Sequence, residues 1–331
     1  MTGLHPIMRF RQVVAIMCAA TALLVGVPVG AQTYPSRTIT ILNGFPPGGP
    51  TDTTVRQIAA KLAERLGQGV VIDNRAGAAG TIAATAAARA EPDGYTLLFG
   101  VAANLAVAPA LMKSAPYDPA KAFTAIGEVA RGPYMWLVTP RVPAANMREF
   151  IAWAQKNAGR VNYASPGQGS VHHLATELLK QATGLDMTHI PYKGGATSYT
   201  AILGGEVEAM FDGMPSPLPH IRAGKLKALA VTGPKRLATL PEVPTLAEQG
   251  ITGVDVQFWW GFVGPAGMPR EVVQKLNSEI NLVLTGADLK ATMAKWDIEV
   301  SPGTPEAFGA QIAREAAYWK AFAARSSIKI E

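Results

Sequence analysis

Short apolar runs of strand length alternate along this chain with longer stretches whose apolar residues return every three or four positions. "TITIL" (38–42) has strand character, and behind it Val55, Ile58, Leu62 and Leu66 recur at helical spacing, with Thr51 or Asp52 as the expected N-cap. "VVIDN" (70–74) predicts a second strand, Ala79 to Ala90 a helix, "YTLLFGV" (95–101) a third strand, and Leu105 to Lys113 a short helix. That β-α-β-α-β order implies a parallel sheet with helices on both faces. The grammar then repeats. "WLVTP" precedes a helix at Met147 to Asn157, "VNYASP" one at Val171 to Thr183, and "MTHIPY" one at 196–203, before "EAMFDG" and "LKALAVTG". After "VDVQFWWGFVGPAG" (254–267) the pattern turns helical, at 269–285, 287–296 and 304–323. The expected architecture is α/β: two lobes with a cleft between them, crossed near 127–137 and 255–264. Lobe I is expected at 32–130 and 260–331, and lobe II at 131–259.

The N-terminus reads differently. Arg9 and Arg11 precede an apolar run, Val13 to Val27, that is too short for a membrane span, and Val29-Gly30-Ala31 offers a cleavage site after Ala31. Residues 1–31 are therefore expected to be a Sec-type signal peptide and the destination the periplasm. Cys18, the one cysteine, lies inside this segment, so the mature chain has no disulfide. Removing Arg9 and Arg11 takes the formal charge from +6 to +4. This mild balance, without a basic run of five, argues against nucleic acid and suits a small anionic ligand.

Three loops follow predicted strands: Phe45-Pro46-Pro47-Gly48-Gly49-Pro50-Thr51-Asp52, Ser165-Pro166-Gly167-Gln168-Gly169-Ser170-Val171-His172-His173, and Met210-Phe211-Asp212-Gly213-Met214. In open α/β sheets ligands settle outside the carboxyl ends of strands, where such loops lie. Glycines bring backbone N–H groups close to one anion, and a helix N-terminus adds its positive dipole end. The same composition also serves as a plain turn with an N-cap, and Asp52 in particular reads as a cap, since its charge repels an anion. Nucleotide motifs are missing: there is no Gly-x-x-x-x-Gly-Lys-Ser/Thr, and Gly167-x-Gly169 lacks a third glycine. There is no Gly-x-Ser-x-Gly and no mature cysteine, so catalytic signatures are absent as well. His173 and Glu177 stand one helical turn apart, but without His-Glu-x-x-His or cysteine they do not make a metal site. No cofactor or metal is expected. His173 reads as a ligand-facing or supporting group, His189 and His220 as structural. Lys193 stands at another strand-to-helix turn, and Trp259 and Trp260 point to opposite faces of a crossing strand.

Eight stretches in combination carry a family resemblance across nearly all of the mature chain: "FPPGGPTD", "IDNRAGAAGTIAA", "PDGYTLL", "YASPGQGSVHHLATELL", "HIPYKGG", "LGGEVEAMFDG", "LPHIRAGKLKALAVTGPKR" and "LPEVPTLAEQG". The chain resembles the substrate-binding proteins of tripartite tricarboxylate transporters, the TctC or Bug receptors. The resemblance implies a periplasmic binding protein of the type II fold, non-enzymatic and monomeric, which closes on a small organic acid and delivers it to membrane permease subunits. It implies a pincer on a carboxylate, built from Asn43, Phe45, Pro46, Gly48, Gly49 and Thr51 on one side and Ser165, Gly167, Gln168, Gly169, Ser170 and His173 on the other. Asp212 would select the far end of the ligand. Asn43-Gly44, Ser170 and His172 depart from the family pattern and bear on ligand identity. A receptor for a sensor kinase and a secreted enzyme on the same frame are the alternatives.

Overall fold

The computed structural model describes residues 34–112 and 115–325; the expected signal peptide lies outside the described residues. The first part comprises β1 (Ile39–Asn43), α1 (Pro50–Leu66), β2 (Val70–Asn74), α2 (Thr81–Ala88), β3 (Thr96–Val101), α3 (Ala108–Leu111), α4 (Pro119–Ala122) and β4 (Phe123–Val138). The middle comprises α5 (Met147–Lys156), β5 (Asn162–Ser165), α6 (Val171–Thr183), β6 (Thr188–Pro191), α7 (Gly195–Gly204), β7 (Ala209–Gly213), α8 (Leu218–Arg222) and β8 (Lys227–Val231). Then come β9 (Gln257–Pro265), α9 (Arg270–Leu284), α10 (Ala287–Ala294), β10 (Glu299–Val300) and α11 (Pro305–Arg325). No helix among the described residues is long and apolar enough to cross a membrane.

The strands follow the order β2-β1-β3-β9-β4-β7-β5-β6, with β8 and β10 also paired to β4. β1 pairs in parallel with β2 and β3, and β5 in parallel with β6 and β7. Strand β4 joins the two α/β lobes. Its residues Phe123 to Pro133 run antiparallel to β9, and Tyr134 to Val138 run antiparallel to β7 and β8. The sequence pattern shows only the end of this 16-residue strand. "FTAIGEVARG" interrupts its apolar period with glycines and charges, and pairing to β9 makes it a strand regardless. Gly132 is there for contact: a Cβ would lie 2.4 Å from the Phe258 ring, and one on Gly213 2.8 Å from the same ring. Phe258 thus lies between two glycines where the lobes meet.

Each lobe has its own apolar interior. Ile41, Leu98, Phe99, Phe262 and Val263 are sealed in the first, and Met135, Leu137, Met210, Leu226 and Val231 in the second. Each such side chain contributes about 1.5–3 kcal/mol by leaving water. The helix starts correct three expectations. α1 is capped by Gly49, not by Thr51 or Asp52, because Pro50, with φ preset and no N–H, takes the first helical position. The helix expected from Ala79 opens instead as a short turn at Ala78–Gly80, where Ala78 and Ala79 take positive φ, before α2 begins. The helix expected at Leu105 to Lys113 starts as a wide turn at Ala103–Val107 and continues as α3; Lys113 lies outside the described residues.

Candidate functional site

β1, β5 and β7 end at Asn43, Ser165 and Gly213, so all three glycine-bearing segments emerge from the carboxyl ends of strands. The first two are built alike. A glycine with positive φ (Gly48, +80°; Gly169, +74°) precedes the helix cap (Gly49 or Ser170), and the third helical side chain reaches back to accept that glycine's N–H. Asp52 Oδ2 takes Gly48 N at 2.9 Å, and His173 Nδ1 takes Gly169 N at 3.1 Å. The amides of Gly48 and Gly169, which the sequence reading offers to a ligand, are therefore bound within the chain. First-turn N–H groups have no intrahelical acceptor, and in α6 Ser170 Oγ takes that of His173, so the Val171 and His172 amides are the ones a ligand could use.

The two loops differ in charge. Asp52 is buried and also accepts from Arg56 Nε at 2.9 Å and Asn74 Nδ2 at 2.8 Å. Burial alone would raise its carboxyl, but the hydrogen bonds from Arg56, Gly48 and Asn74 outweigh it and hold it down to about 2. It stays ionised, and a negative charge sits under the N-terminus of α1. His173 is uncharged. Burial pushes its ring down, and since Gly169 donates to Nδ1, the ring proton is on Nε2. His173 lies flat on His189, centroids 3.9 Å apart and planes 7° off parallel, with the Tyr163 ring stacked beyond His189 at 4.9 Å. Burial and the neighbouring His173 bring His189 down to about 3. Ser165 Oγ, 2.6 Å from His189 Nε2, donates to the Gly167 carbonyl, so it receives the His189 N–H. Gly167 N donates to Ser165 Oγ as well, at 3.2 Å. The N-terminus of α6 therefore rests on neutral groups on the His173 side, while the Asp212 carboxylate lies beside His172 in the same first turn.

The remaining predicted residues fall around these two frames. Asn43 is fully buried; its Nδ2 reaches the Phe45 carbonyl at 3.5 Å, and its Oδ1 has no hydrogen-bond partner. Asn74 Nδ2 binds the same carbonyl at 3.0 Å. Pro46 and Gln168 are exposed, Phe45 and Thr51 half-buried. Ser170 caps α6 through Oγ, which accepts from His173 N at 3.3 Å. Asp212 Oδ1 accepts from Gly213 N at 2.7 Å and lies 3.1 Å from His172 Nε2, which ties the third segment to the second. Lys193 is exposed. Trp259 and Trp260 are both buried on opposite sides of β9. Trp259 donates to Glu315 at 2.7 Å, and Trp260 packs against Phe99 and Phe258.

Sequence reasoning missed Asn74, Gly80 and the His172–Asp212 pair. Gly80 lies so close to Gly44 that a Cβ on Gly44 would be 2.6 Å from Gly80 Cα. His172 and Asp212 are 40 residues apart, and only the parallel order β6-β5-β7 brings α6 over the end of β7. No local pattern signals either contact.

Comparison with known proteins gives the family. The family model described as "Tripartite tricarboxylate transporter family receptor", TctC, matches residues 54–326. The Bordetella pertussis protein BugT is 35% identical over 324 residues, covering 98% of this chain and 99% of BugT. Two solved Rhodopseudomonas palustris proteins superpose closely. Rpa4515, solved with adipate, has a TM-score of 0.81 and 34% identity over 88% of this chain and 97% of its own. MatC, solved with bound malate, has a TM-score of 0.80 and 32% identity over 88% of this chain and all of its own. With the family model, the full-length relative and the fold in agreement, the chain belongs to the tripartite tricarboxylate transporter receptor family, TctC, a family of solute-binding receptors.

Proposed function

We propose that this chain is a periplasmic receptor that captures a small carboxylated organic ligand, without turning it over, and delivers it to the permease of a tripartite tricarboxylate-type transporter. The observation that carries the carboxylate is the neutral His173 beneath the N-terminus of α6: it holds Gly169 in place and, unlike Asp52 under α1, adds no charge of its own against an anion. The ligand's carboxylate sits on the first-turn amides of α6 beside Ser165 and Gly167. The Asn43 to Thr51 loop closes from lobe I, and Asp212 borders the rest of the ligand. Adipate and malate in two relatives of the same fold support this class of ligand. Lobe I covers 32–130 and 260–331 and lobe II 131–259, and they close about β4 and the start of β9. Residues 1–31 direct export and are removed.

The test is calorimetric titration of the mature chain with mono-, di- and hydroxycarboxylates. Binding of none of them overturns the reading. A pair of variants isolates the charge argument. His173→Asn keeps a neutral acceptor for Gly169, whereas His173→Asp adds a charge at the same place. Carboxylate affinity should differ by roughly tenfold between the two, in favour of Asn; equal affinities would refute the anion seat on α6.

A further inference from the structure

Four buried side-chain atoms among the described residues have no hydrogen-bond partner: Asn43 Oδ1, Trp136 Nε1, His172 Nδ1 and Tyr199 Oη. Trp136 lies in the apolar interior between Phe150 and Phe211. Two of the others, His172 Nδ1 and Tyr199 Oη, belong to side chains gathered about one carboxylate, Asp212, at the carboxyl end of β7. Tyr199, on α7, is near enough for the Asp212 charge to act on its hydroxyl.

The protonation pattern follows from the contacts. Asp212 Oδ1 accepts the Gly213 N–H and lies 3.1 Å from His172 Nε2, so whenever the ring is singly protonated Nε2 carries the proton and Nδ1 is the acceptor. The cluster offers the Asp212 carboxylate, the second ring nitrogen of His172 and a phenol hydroxyl that can accept as well as donate. Buried polar atoms are nearly always satisfied, and these lie beside the helix turn to which the ligand's carboxylate is assigned. The His172 and Asp212 side chains are 19% and 17% accessible, so the pair borders solvent, with His172 Nδ1 and Tyr199 Oη on its covered side. An acceptor-rich cluster is satisfied by a donor, whereas a further carboxylate would meet the charge of Asp212.

We infer that His172 is a specificity-determining residue: with Asp212 and Tyr199 it selects ligands that carry a hydroxyl or ammonium donor in addition to the carboxylate, and it discriminates against the unsubstituted dicarboxylate of the same length. This rests on the proposed carboxylate seat and deepens it. His172 itself depends on no neighbour in sequence; it works because α6 lies over the end of β7.

The experiment is calorimetric titration of the mature protein at pH 7.5 with matched pairs: succinate against malate, glutarate against 2-hydroxyglutarate, and glutarate against glutamate. The hydroxylated or aminated partner should bind about tenfold tighter or more in at least one pair. His172→Phe should bring that ratio to about twofold or less, whereas His172→Gln, which keeps an N–H for Asp212 and an acceptor for the ligand, should restore it to within about threefold of wild type. A merely structural role would weaken both members of a pair alike and leave the ratio unchanged. If the unsubstituted acids bind as well as their partners, or His172→Phe keeps the ratio, the inference fails while the receptor reading stands. If no acid of either kind binds, the receptor reading fails and this inference with it.

Discussion

Replacing His189 with glutamine should flatten the acid limb of this protein's stability. His189 is neutral in the fold and held down to about 3 by burial, by His173 and by the Lys180 charge, against 6.5 in the unfolded chain. The sign is fixed by that direction. Below 6.5 the unfolded chain takes up a proton that the folded ring refuses, so stability is untouched above pH 7.5, falls below 6.5, and stops falling only near 3. At pH 5.5 the unfolded ring is about ten parts protonated to one, which is about 1.4 kcal/mol; partial solvent access reduces this to about 1 kcal/mol. The groups around the ring are His173, Tyr163, Lys180 and, one step further, Glu177, which accepts from Tyr163 and Lys180. His173 is depressed too, but it stays in both proteins and cancels. The introduced glutamine amide can still donate to Ser165 Oγ, so the loop keeps its support. Urea denaturation at pH 8 and pH 5.5 should show wild type losing about 1 kcal/mol more than His189→Gln. Comparing slopes matters, because Glu315, raised to about 6, shifts the other way in the same window. Equal losses within about 0.3 kcal/mol would show that His189 is not held neutral, and would remove the neutral support claimed for the α6 N-terminus.

Two further outcomes are expected. Gly44→Ala places a Cβ 2.6 Å from Gly80 Cα and 3.0 Å from its carbonyl oxygen, backbone that no rotamer change relieves. It should cost about 2 kcal/mol and lower Tm by about 5 °C, together with ligand affinity; an unchanged melting curve refutes the close approach. Glu315→Gln should stabilise the protein above pH 7 by about 1 kcal/mol, since burial raises the carboxyl to about 6 and its ionised form opposes folding as pH rises from 4.5 through 6. The gain should vanish in denaturation curves by pH 4.5, and a constant gain across that range would point to packing instead.

The fold was legible wherever local period and tertiary environment agreed. Val171 to Thr183 alternates its apolar face at helical spacing, is capped by Ser170 and closed by Gly184, and the helix has those bounds. β4 was half hidden because its first eleven residues owe their conformation to β9, not to their own pattern. At the site, the glycine loops were visible because positive φ needs particular residues, as at Gly48 and Gly169. The use of their amides was not. Whether a first-turn side chain turns outward or reaches back to the loop depends on what is packed behind it. For His173 that is the ring of His189, supplied from β6, sixteen residues on. His172 shows the same limit more sharply, since its neighbour in sequence faces inward while its own ring turns to Asp212.

The matching construction of the two loops explains how one protein can hold both jaws ready yet treat them differently. In each, a side chain three positions into the helix fixes a left-handed glycine before any ligand arrives, so the ordering cost is met during folding and not on binding. The chemistry of that side chain then sets the preference. Asp52 fixes Gly48 with a charge that occupies the positive end of α1, and Arg56 partly offsets it, so this jaw is best suited to neutral or donor-bearing parts of a ligand. His173 does the same mechanical work without charge and leaves α6 to the anion. On the proposed reading a carboxylate entering the cleft therefore has one preferred jaw, and that orientation would carry the rest of the ligand along β7 to His172 and Asp212, where the inferred selectivity for a donor over a second anion would act.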